Sequence, residues 1–488
     1  MANVKGPQII NDSWTPSGMV HMGSLKGPVI HDTLFQIFKE RKQKVKFIYG
    51  FDDADPIDGL PPDLQTSHSK YLGIPLYLAP APSGEGSFAD YFANKMKSLF
   101  DILNIKPEIY KTSELYNNGA FNKAIQLVLD NAEKVRRVYS TIYQKEIAGD
   151  WFPLQAICPK CGKVGTTKVT AWDGKEVSFS CKETLVKWAK GCGVNGKMSP
   201  FNGKSKMPWK VEWAAKWWTF GVTIEGAGKD HASAGGSYDV ALKICREVFA
   251  KEPPLQFAYE FFLTRGKKMS SSKGLGLTGE ELLSVLPPAL VRFLMIKTKI
   301  NQAVNFDPYE PTTIPRLFDE YDKFAESDDP DMARIFKLSQ IDKMPKRQKL
   351  IKFSDIVNLL QMPGKEKELE KEDVKPRVPY AKIWLDKFAP EEQKFTVKEK
   401  LPEQALHLSA LQKTFLGKIV DELSKDLKPE VFEIRLYELA KEIELSSKDA
   451  FSAIYKSLIG KDHGPKAAWL ILSLDKKFLI DRFKEAAG

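Results

Sequence analysis

The stretch WTPSGMVHMGSLKGPVIHD, Trp14 to Asp32, puts a Pro-Ser-Gly turn and a lone histidine directly ahead of a helical run. Apolar residues follow at Leu34, Phe35 and Phe38, the spacing of a helix that buries one face. KVKFIYGFDDADP, Lys44 to Pro56, comes next: its β-branched and aromatic residues predict a buried strand over Val45–Tyr49, ending in an acidic turn. Strand, glycine-containing turn, helix and strand make the βαβ unit of a parallel sheet. A phosphate cradle over Pro16–Ser24 is one reading of the turn, and a surface or core histidine without a role is the plainer reading of His21.

Working outward, LPPDLQ and APAPSGEG mark loops between residues 60 and 86, and helical patterns cover Phe88–Leu103, Glu114–Tyr116 and Phe121–Tyr143. Residues 151–206 are richer in Gly, Lys and Cys and lose periodicity, as expected of a small inserted domain. VTIEGAGKDHASAGGSYDVALKICREVFA, Val222 to Ala250, then returns to strand, Gly-rich turn and helix. Val240, Ala241, Ile244, Cys245, Val248 and Phe249 form one stripe, which makes Cys245 a buried core thiol. From about Pro311 the patterns are helical with little strand signal.

At 488 residues, 43% hydrophobic and 28% charged, this is an ordinary globular composition spread over several domains. No run approaches the ~18 apolar residues of a membrane span, and the N-terminus lacks a signal-peptide pattern. A cytoplasmic location without membrane association is the expectation. The net charge of +10 fits a polyanionic partner such as nucleic acid, although a generic basic protein would carry it too. KEKELEKEDVK, Lys365 to Lys375, alternates in sign and reads as a solvated helix face or linker.

Five cysteines in a large chain of this kind do not suggest a disulfide framework. Four of them cluster: Cys158 and Cys161 in CPKCG, then Cys181 and Cys192. Two thiolates on one tight turn plus two more fit a closed tetrahedral Zn²⁺ site of structural type. The alternative is a metal-free insert with scattered thiols.

RGKKMSSSKGLGLTGEEL, Arg265 to Leu282, supplies lysines, small hydroxyls and a Gly-rich loop ahead of a helix capped near Thr278. Alone it reads equally as a basic surface loop or as a partner for an ATP triphosphate. Together with the first stretch it resembles the two signatures of class I aminoacyl-tRNA synthetases, here His21-Met22-Gly23-Ser24 and Lys268-Met269-Ser270-Ser271-Ser272. The Gly-Lys-Asp-His and Gly-Gly-Ser-Tyr-Asp block, the turn FDDADP, the triple serine and the late GPKAAWLILSLDKKFLIDRF are similar to the class I lysyl-tRNA synthetase family over nearly the whole chain.

That resemblance implies an α/β fold: a Rossmann-like parallel-sheet catalytic domain split by a zinc-binding insertion, then an all-α C-terminal domain. The corresponding spans are 1–150 and 207–262 for the catalytic halves and 151–206 for the insert near the acceptor stem. Residues 263–325 carry the second signature, and 326–488 form an anticodon-binding domain. It also implies activation of L-lysine by ATP with Mg²⁺, transfer to the 3′ end of tRNA(Lys), and adenylate formation that needs tRNA; a monomer is expected.

By resemblance, Pro16, Ser17, Gly18, His21, Gly23, Ser24, Gly228, Lys229, Asp230, Gly235, Gly236, Lys268, Met269, Ser270, Ser271, Ser272 and Lys273 serve ATP and the chemistry. For lysine, a carboxylate from Asp52, Asp53 or Asp55 would meet the ammonium, with Thr15, His231, Tyr259 and Trp213, or Trp209 and Trp217, around the stem. Core packing is the competing fate of the tryptophans, as it is for Tyr380, Trp384 and Trp469 as base-reading residues. Ser24 and Ser271 stand where the signatures commonly carry a larger donor and a lysine; Lys267 or Lys273 would supply the missing charge. A class I synthetase for glutamate and an inactive tRNA-binding paralogue remain the alternatives. The acidic turn disfavours the first, and intact His21, Gly23, Lys268 and Lys273 disfavour the second.

Overall fold

The structure is a computed structural model that describes residues 6–233, 235–268, 277–342, 351–362, 365–425 and 427–488. The chain divides into two compact units. One comprises Met1–Leu283, Pro288–Asp307 and Asp329–Met344; the other comprises Ser284–Pro287, Pro308–Asp328 and Pro345–Gly488.

In the first unit, β1 (Gln8–Trp14) leads through a 3-10 turn, Met22–Leu25, into α1 (Lys26–Glu40), and β2 (Val45–Phe51) returns parallel to β1. The residues predicted to be loop between 60 and 86 include the short helical turns Pro62–Leu64, Gln65–His68 and Ser69–Tyr71. Pro62 at a first helical position is compatible with such a turn, because its missing N–H would lack a helical partner there anyway. Next come α2 (Phe88–Ile102), β3 (Glu108–Lys111), α3 (Thr112–Asn117), α4 (Asn122–Asp130) and α5 (Ala132–Tyr143). The single helix expected over Phe121–Tyr143 is therefore two. The break is at Asn131, whose side-chain amide donates to the Leu127 carbonyl and competes with the helical ladder.

Within residues 151–206, β4 (Thr167–Trp172), β5 (Val177–Cys181) and β6 (Asn195–Met198) form an antiparallel sheet. A two-residue ladder, Gln155–Ala156 with Ser205–Lys206, closes its base. Then α6 (Trp209–Phe220), β7 (Ile224–Gly228), α7 (Ser237–Glu247) and β8 (Leu255–Tyr259) complete the central sheet. Its order is β8-β7-β1-β2-β3, all parallel, so the strand order reverses between β1 and β7. Ligands of open α/β sheets bind in the crevice at such a reversal. The stripe on α7 is buried, and burial pushes the Cys245 thiol up to about 11.

β9 (Phe262–Thr264) and β10 (Lys267–Lys268) form a hairpin; α8 (Gly279–Val285), α9 (Pro288–Ile296) and β11 (Val304–Asn305) follow. Arg292 on α9 is buried, donates to Asp32 of α1 at 2.7 Å, and also bonds the Leu103 and Leu338 carbonyls. One guanidinium thus ties α9 to α1 and to the ends of α2 and a later helix of the same unit.

The second unit is helical, with no strand among its described residues: α10 (Thr313–Glu326) lies in it, whereas α11 (Pro330–Ser339) belongs to the first unit. α12 (Phe353–Gln361) and α13 (Val378–Lys387) follow, then α14 (Ala410–Glu422), α15 (Pro429–Glu442), α16 (Ser447–Ile459), α17 (Ala467–Ser473) and α18 (Lys476–Ala487). Ser409 and Gln412 form a capping box at the start of α14. Phe415, Ile419, Leu436, Ile454 and Phe483 share one core. Trp384 is buried, Tyr380 and Trp469 are half-buried, and most of Lys365–Lys375 is exposed around a single turn, Glu366–Leu369. No helix among the described residues is long and apolar enough to cross a membrane.

Gly226 shows how tightly β7 is fitted. Its N–H donates to Nε2 of buried His31 at 2.8 Å, and a Cβ would lie 2.2 Å from the Phe257 ring on β8. Gly226→Ala is expected to destabilise this unit by about 1–3 kcal/mol through overpacking, read as a lower melting temperature.

Candidate active site

At the C-terminal ends of β1, β7 and β8 lies a cleft of about 230 Å³. His21, Gly23 and Lys26 line it from the β1–α1 connection; Gly228, Asp230, His231 and Tyr259 line it from the ends of β7 and β8.

His21 has extended backbone and acts as an N-cap: Nδ1 accepts from the Ser24 N–H at 3.1 Å. That assigns the ring proton to Nε2. The Ser24 hydroxyl lies 3.3 Å from Nδ1, so the short side chain at this position holds the imidazole. A Cβ on Gly23 would meet His21 Nδ1 at 3.0 Å, so glycine is what lets the ring fold back over the turn. Pro16, Ser17 and Gly18 form the preceding turn, with Ser17 N–H donating to the Thr15 carbonyl.

The second signature begins on the β9–β10 hairpin, where Lys268 pairs with Leu263. Arg265 and Gly266, both at positive φ, make its two-residue turn. Met269, Ser270, Ser271, Ser272 and Lys273 lie outside the described residues. Just after them Thr278 bridges to His21; Met22 N–H donates to the Leu277 carbonyl and Gly279 N–H to the Val20 carbonyl. Thr278 and Glu281 form a capping box for α8, as the sequence predicts. The chain leaving the second signature is therefore hydrogen-bonded to the backbone of the first.

On the opposite wall, Gly228 precedes a helical turn, Lys229–Ala232. Gly235 donates to Asp239, and a Cβ on Gly236 would come within 2.6 Å of the Ser233 carbonyl. Lys229 pairs with Glu260 at 2.5 Å. His231 stands edge-on to Trp209 and Trp213, at 5.6 and 5.8 Å. Trp217 is fully buried, Trp213 is 9% exposed and Trp209 is 42% exposed, so the three tryptophans grade from core to surface.

The acidic turn is engaged by the protein itself. Asp53 accepts from Ser113 N–H, Ser113 Oγ and Thr112 Oγ1 at 2.7, 2.6 and 3.2 Å at the start of α3, although burial lifts its pKa. Asp52 pairs with Lys216 at 2.8 Å. Asp55 pairs with Lys206 at 2.7 Å and accepts from Thr15 Oγ1 at 3.0 Å. Glu212 is a second partner of Lys206 and accepts from Tyr116 OH. Glu225 accepts from Asn11, Trp213 Nε1 and Trp217 Nε1 at 2.7, 2.6 and 2.6 Å. Burial opposes the charges on Lys206 and Lys216, but Asp55 with Glu212 and Asp52 outweigh it and hold both lysines charged. Burial raises Glu212 and Glu225 against the pull of Lys206 and Lys216. Asp52, Asp55, Glu212 and Glu225 thus surround Lys206 and Lys216, four carboxyl groups to two ammonium groups, with burial favouring the neutral forms of Glu212 and Glu225.

Sequence reasoning missed Lys26, Lys206, Glu212, Lys216 and Glu225. A signal was present for Glu225: a carboxylate within TIEGAG, on a strand buried on both faces, demands internal donors. The others became legible only when distant segments met.

The four clustered cysteines come together. Cys158 and Cys192 sulfurs are 3.5 Å apart, Cys161 and Cys181 are 3.7 Å apart, and all four lie within 4.8 Å of one another. Those separations approach the roughly 3.8 Å edge of a tetrahedron with 2.3 Å metal–sulfur bonds. Gly191 makes room: a Cβ there would lie 2.8 Å from the Cys181 sulfur. Burial pushes Cys161 up to about 12, while the Val194 backbone draws Cys192 down to about 7.

Lys216→Met strands Asp52 and is expected to cost about 3–5 kcal/mol, as for a broken buried pair. Adding Asp52→Asn should recover part of that, read from melting temperatures in a double-mutant cycle.

The family model described as "tRNA synthetases class I (K)" matches residues 2–342. A lysine–tRNA ligase from Picrophilus torridus is 32% identical, with 99% of this chain and 97% of that protein covered. One from Thermoplasma volcanium is 34% identical, with 99% and 97% covered. A glutamate–tRNA synthetase structure from Elizabethkingia anophelis aligns at 13% identity and TM-score 0.49, covering 99% of this chain and 100% of that one. With the family model's match over residues 2–342 spanning the parallel sheet and the cleft at its reversal point, and with relatives above 30% identity along almost the whole chain, the chain belongs to the class I (K) tRNA synthetase family.

Proposed function

We propose that this protein is a lysine–tRNA ligase. The observation that carries the proposal is the likeness along almost the full chain to relatives named for that activity, in a molecule whose first signature and the segment leaving its second are joined at one cleft. Lysine carboxylate attacks the α-phosphorus of ATP, supplied with Mg²⁺, and pyrophosphate leaves. The terminal ribose hydroxyl of tRNA(Lys) then takes the lysyl group from the adenylate. Positioning and charge stabilisation do most of this work.

In this reading His21, oriented by Ser24, donates from Nε2 to the ATP phosphates, with Gly23 and Pro16–Gly18 shaping the turn. Lys268 and Met269–Lys273 complete the phosphate site. Gly228–Asp230, Gly235 and Gly236 take the adenosine. Thr15, Trp213, His231 and Tyr259 surround the lysine. Asp53 holds α3, and Asp52 and Asp55 act from within their ion pairs.

Cys158, Cys161, Cys181 and Cys192 would hold a structural Zn²⁺, closed to substrate, within an insert over 151–206 that approaches the acceptor stem. The catalytic halves are 1–150 and 207–262, with 263–325 carrying the second signature. The helical residues of 326–488 would read the anticodon, and the enzyme would act as a cytoplasmic monomer.

Charging of total tRNA with each of the twenty amino acids, with ATP and Mg²⁺, should attach lysine alone. Attachment of glutamate, or of nothing, overturns the reading. Metal analysis of the purified protein should find about one zinc per chain, and Cys181→Ser should lose it and lower the melting temperature; zinc well below one per chain removes the metal from the account.

A further inference from the structure

Lys26 opens α1 on the wall of the cleft, beside His21 and Gly23. It is 2% exposed. Its ammonium donates to the Glu260 carbonyl at 2.7 Å, the one hydrogen bond it makes among the described residues. An ammonium has three N–H donors. Glu260's carboxylate is committed to Lys229 at 2.5 Å. Burial pulls Lys26 below the ordinary lysine range, more strongly than the Glu260 charge lifts it.

The other two buried lysines of this region make a telling contrast. Lys206 and Lys216 are 2% and 3% exposed, yet each has a carboxylate within 2.8 Å. A desolvated cation without a counter-ion is costly unless an anion arrives to complete it. Lys26 has that deficit on the wall of a cleft, and the start of the fifteen-residue α1 also favours an anion there.

Its position selects which anion. Lys26 shares one cleft with His21, proposed above to meet the ATP phosphates, and with Gly228, Tyr259 and His231, proposed to meet adenosine and the amino acid. The group that stands between adenosine, amino acid and leaving diphosphate is the α-phosphate. We propose that Lys26 is a catalytic residue that binds a non-bridging oxygen of the ATP α-phosphate, an inference that rests on the ligase reading. As the lysine carboxylate oxygen bonds to the α-phosphorus, the bond to the diphosphate oxygen breaks and its electron pair leaves with pyrophosphate. No proton moves in this step. Lys26 stays protonated, offsets charge on the five-coordinate phosphorus, and then holds the single negative charge of the adenylate.

The test uses the full chain with Lys26→Gln and Lys26→Arg. Turnover is read by lysine-dependent ATP–pyrophosphate exchange with tRNA present, and ATP and lysine binding by equilibrium dialysis. For Lys26→Gln, exchange turnover should fall roughly 10²–10³-fold, as when one donor to a developing charge is removed. Lysine affinity should stay within about twofold, and Lys26→Arg should regain at least about tenfold of the loss. Exchange by Lys26→Gln within about threefold of the parent overturns the proposal. So does a loss seen mainly in lysine affinity, which would assign Lys26 to the substrate carboxylate, or a loss that arginine does not relieve. If the parent chain charges no lysine yet binds ATP in a Lys26-dependent way, the ligase reading fails while Lys26 stands as a nucleotide ligand. If ATP binding is also indifferent to Lys26, both fail.

Discussion

β1 lies between β2 and β7 in the middle of the sheet, and its C-terminal half carries Asn11, Asp12 and Ser13 where a purely structural strand would carry apolar residues. Burying those groups is the constraint from which the site follows. Asn11 donates to Glu225 on β7 and accepts from Tyr110 on β3. Ser13 donates to Asp52 beyond β2 and accepts from Lys216 on α6. Each neighbour of the central strand is thus held to it by a polar side chain as well as by the ladder.

Satisfying one buried charge brings in the next. Glu225 needs donors, and Trp213 and Trp217 on α6 supply them through their indole N–H groups. That fixes the face α6 turns to the sheet and with it the ring of Trp213, which packs roughly perpendicular to His231. The same helix carries Lys216 to Asp52 and Glu212 to Lys206. The tryptophan contacts and the charge network are therefore carried by one helix, and the tryptophan rings cannot shift without unmaking hydrogen bonds to a buried carboxylate.

Much of this was legible in the sequence where periodicity or spacing carried it. The βαβ opening, the return to the sheet after the insert, the α7 stripe with Cys245 inside and the Thr278 cap follow from local patterns, and the structure contains them. The four cysteines were legible as a set because CPKCG followed by two more has the spacing of a metal-like cluster, and the fold brings all four sulfurs together. What local patterns could not carry was partnership across sequence. Asp52 and Asp55 look like free carboxylates on a turn until residues about 150 positions later arrive as lysines. Lys26 looks like an ordinary first-turn helix lysine until the fold brings the Glu260 carbonyl to its ammonium. The break at Asn131 was missed for the opposite reason: the apolar period continues through it, and a single side-chain amide decides the matter.

The insert obeys the same logic at smaller scale. Three short strands bury few side chains, Val169, Val177 and Phe179 among them. These side chains belong to the same core as Trp213 and Trp217, so the module packs against the body of its unit instead of holding itself. Four sulfurs close to tetrahedral spacing also meet within it, Cys158 lying only two residues past Ala156. At the near end the ladder of Gln155–Ala156 with Ser205–Lys206 closes the module, and its last residue, Lys206, goes straight into the charge network between Asp55 and Glu212. Asp55 in turn holds Thr15, the residue that leads into the Pro-Ser-Gly turn. The insert's exit is thus wired to the first signature through two polar contacts. A change that loosens the module at its base must either pull a buried ammonium away from two carboxylates or leave the whole chain of contacts in place, so the insert and the cleft order together.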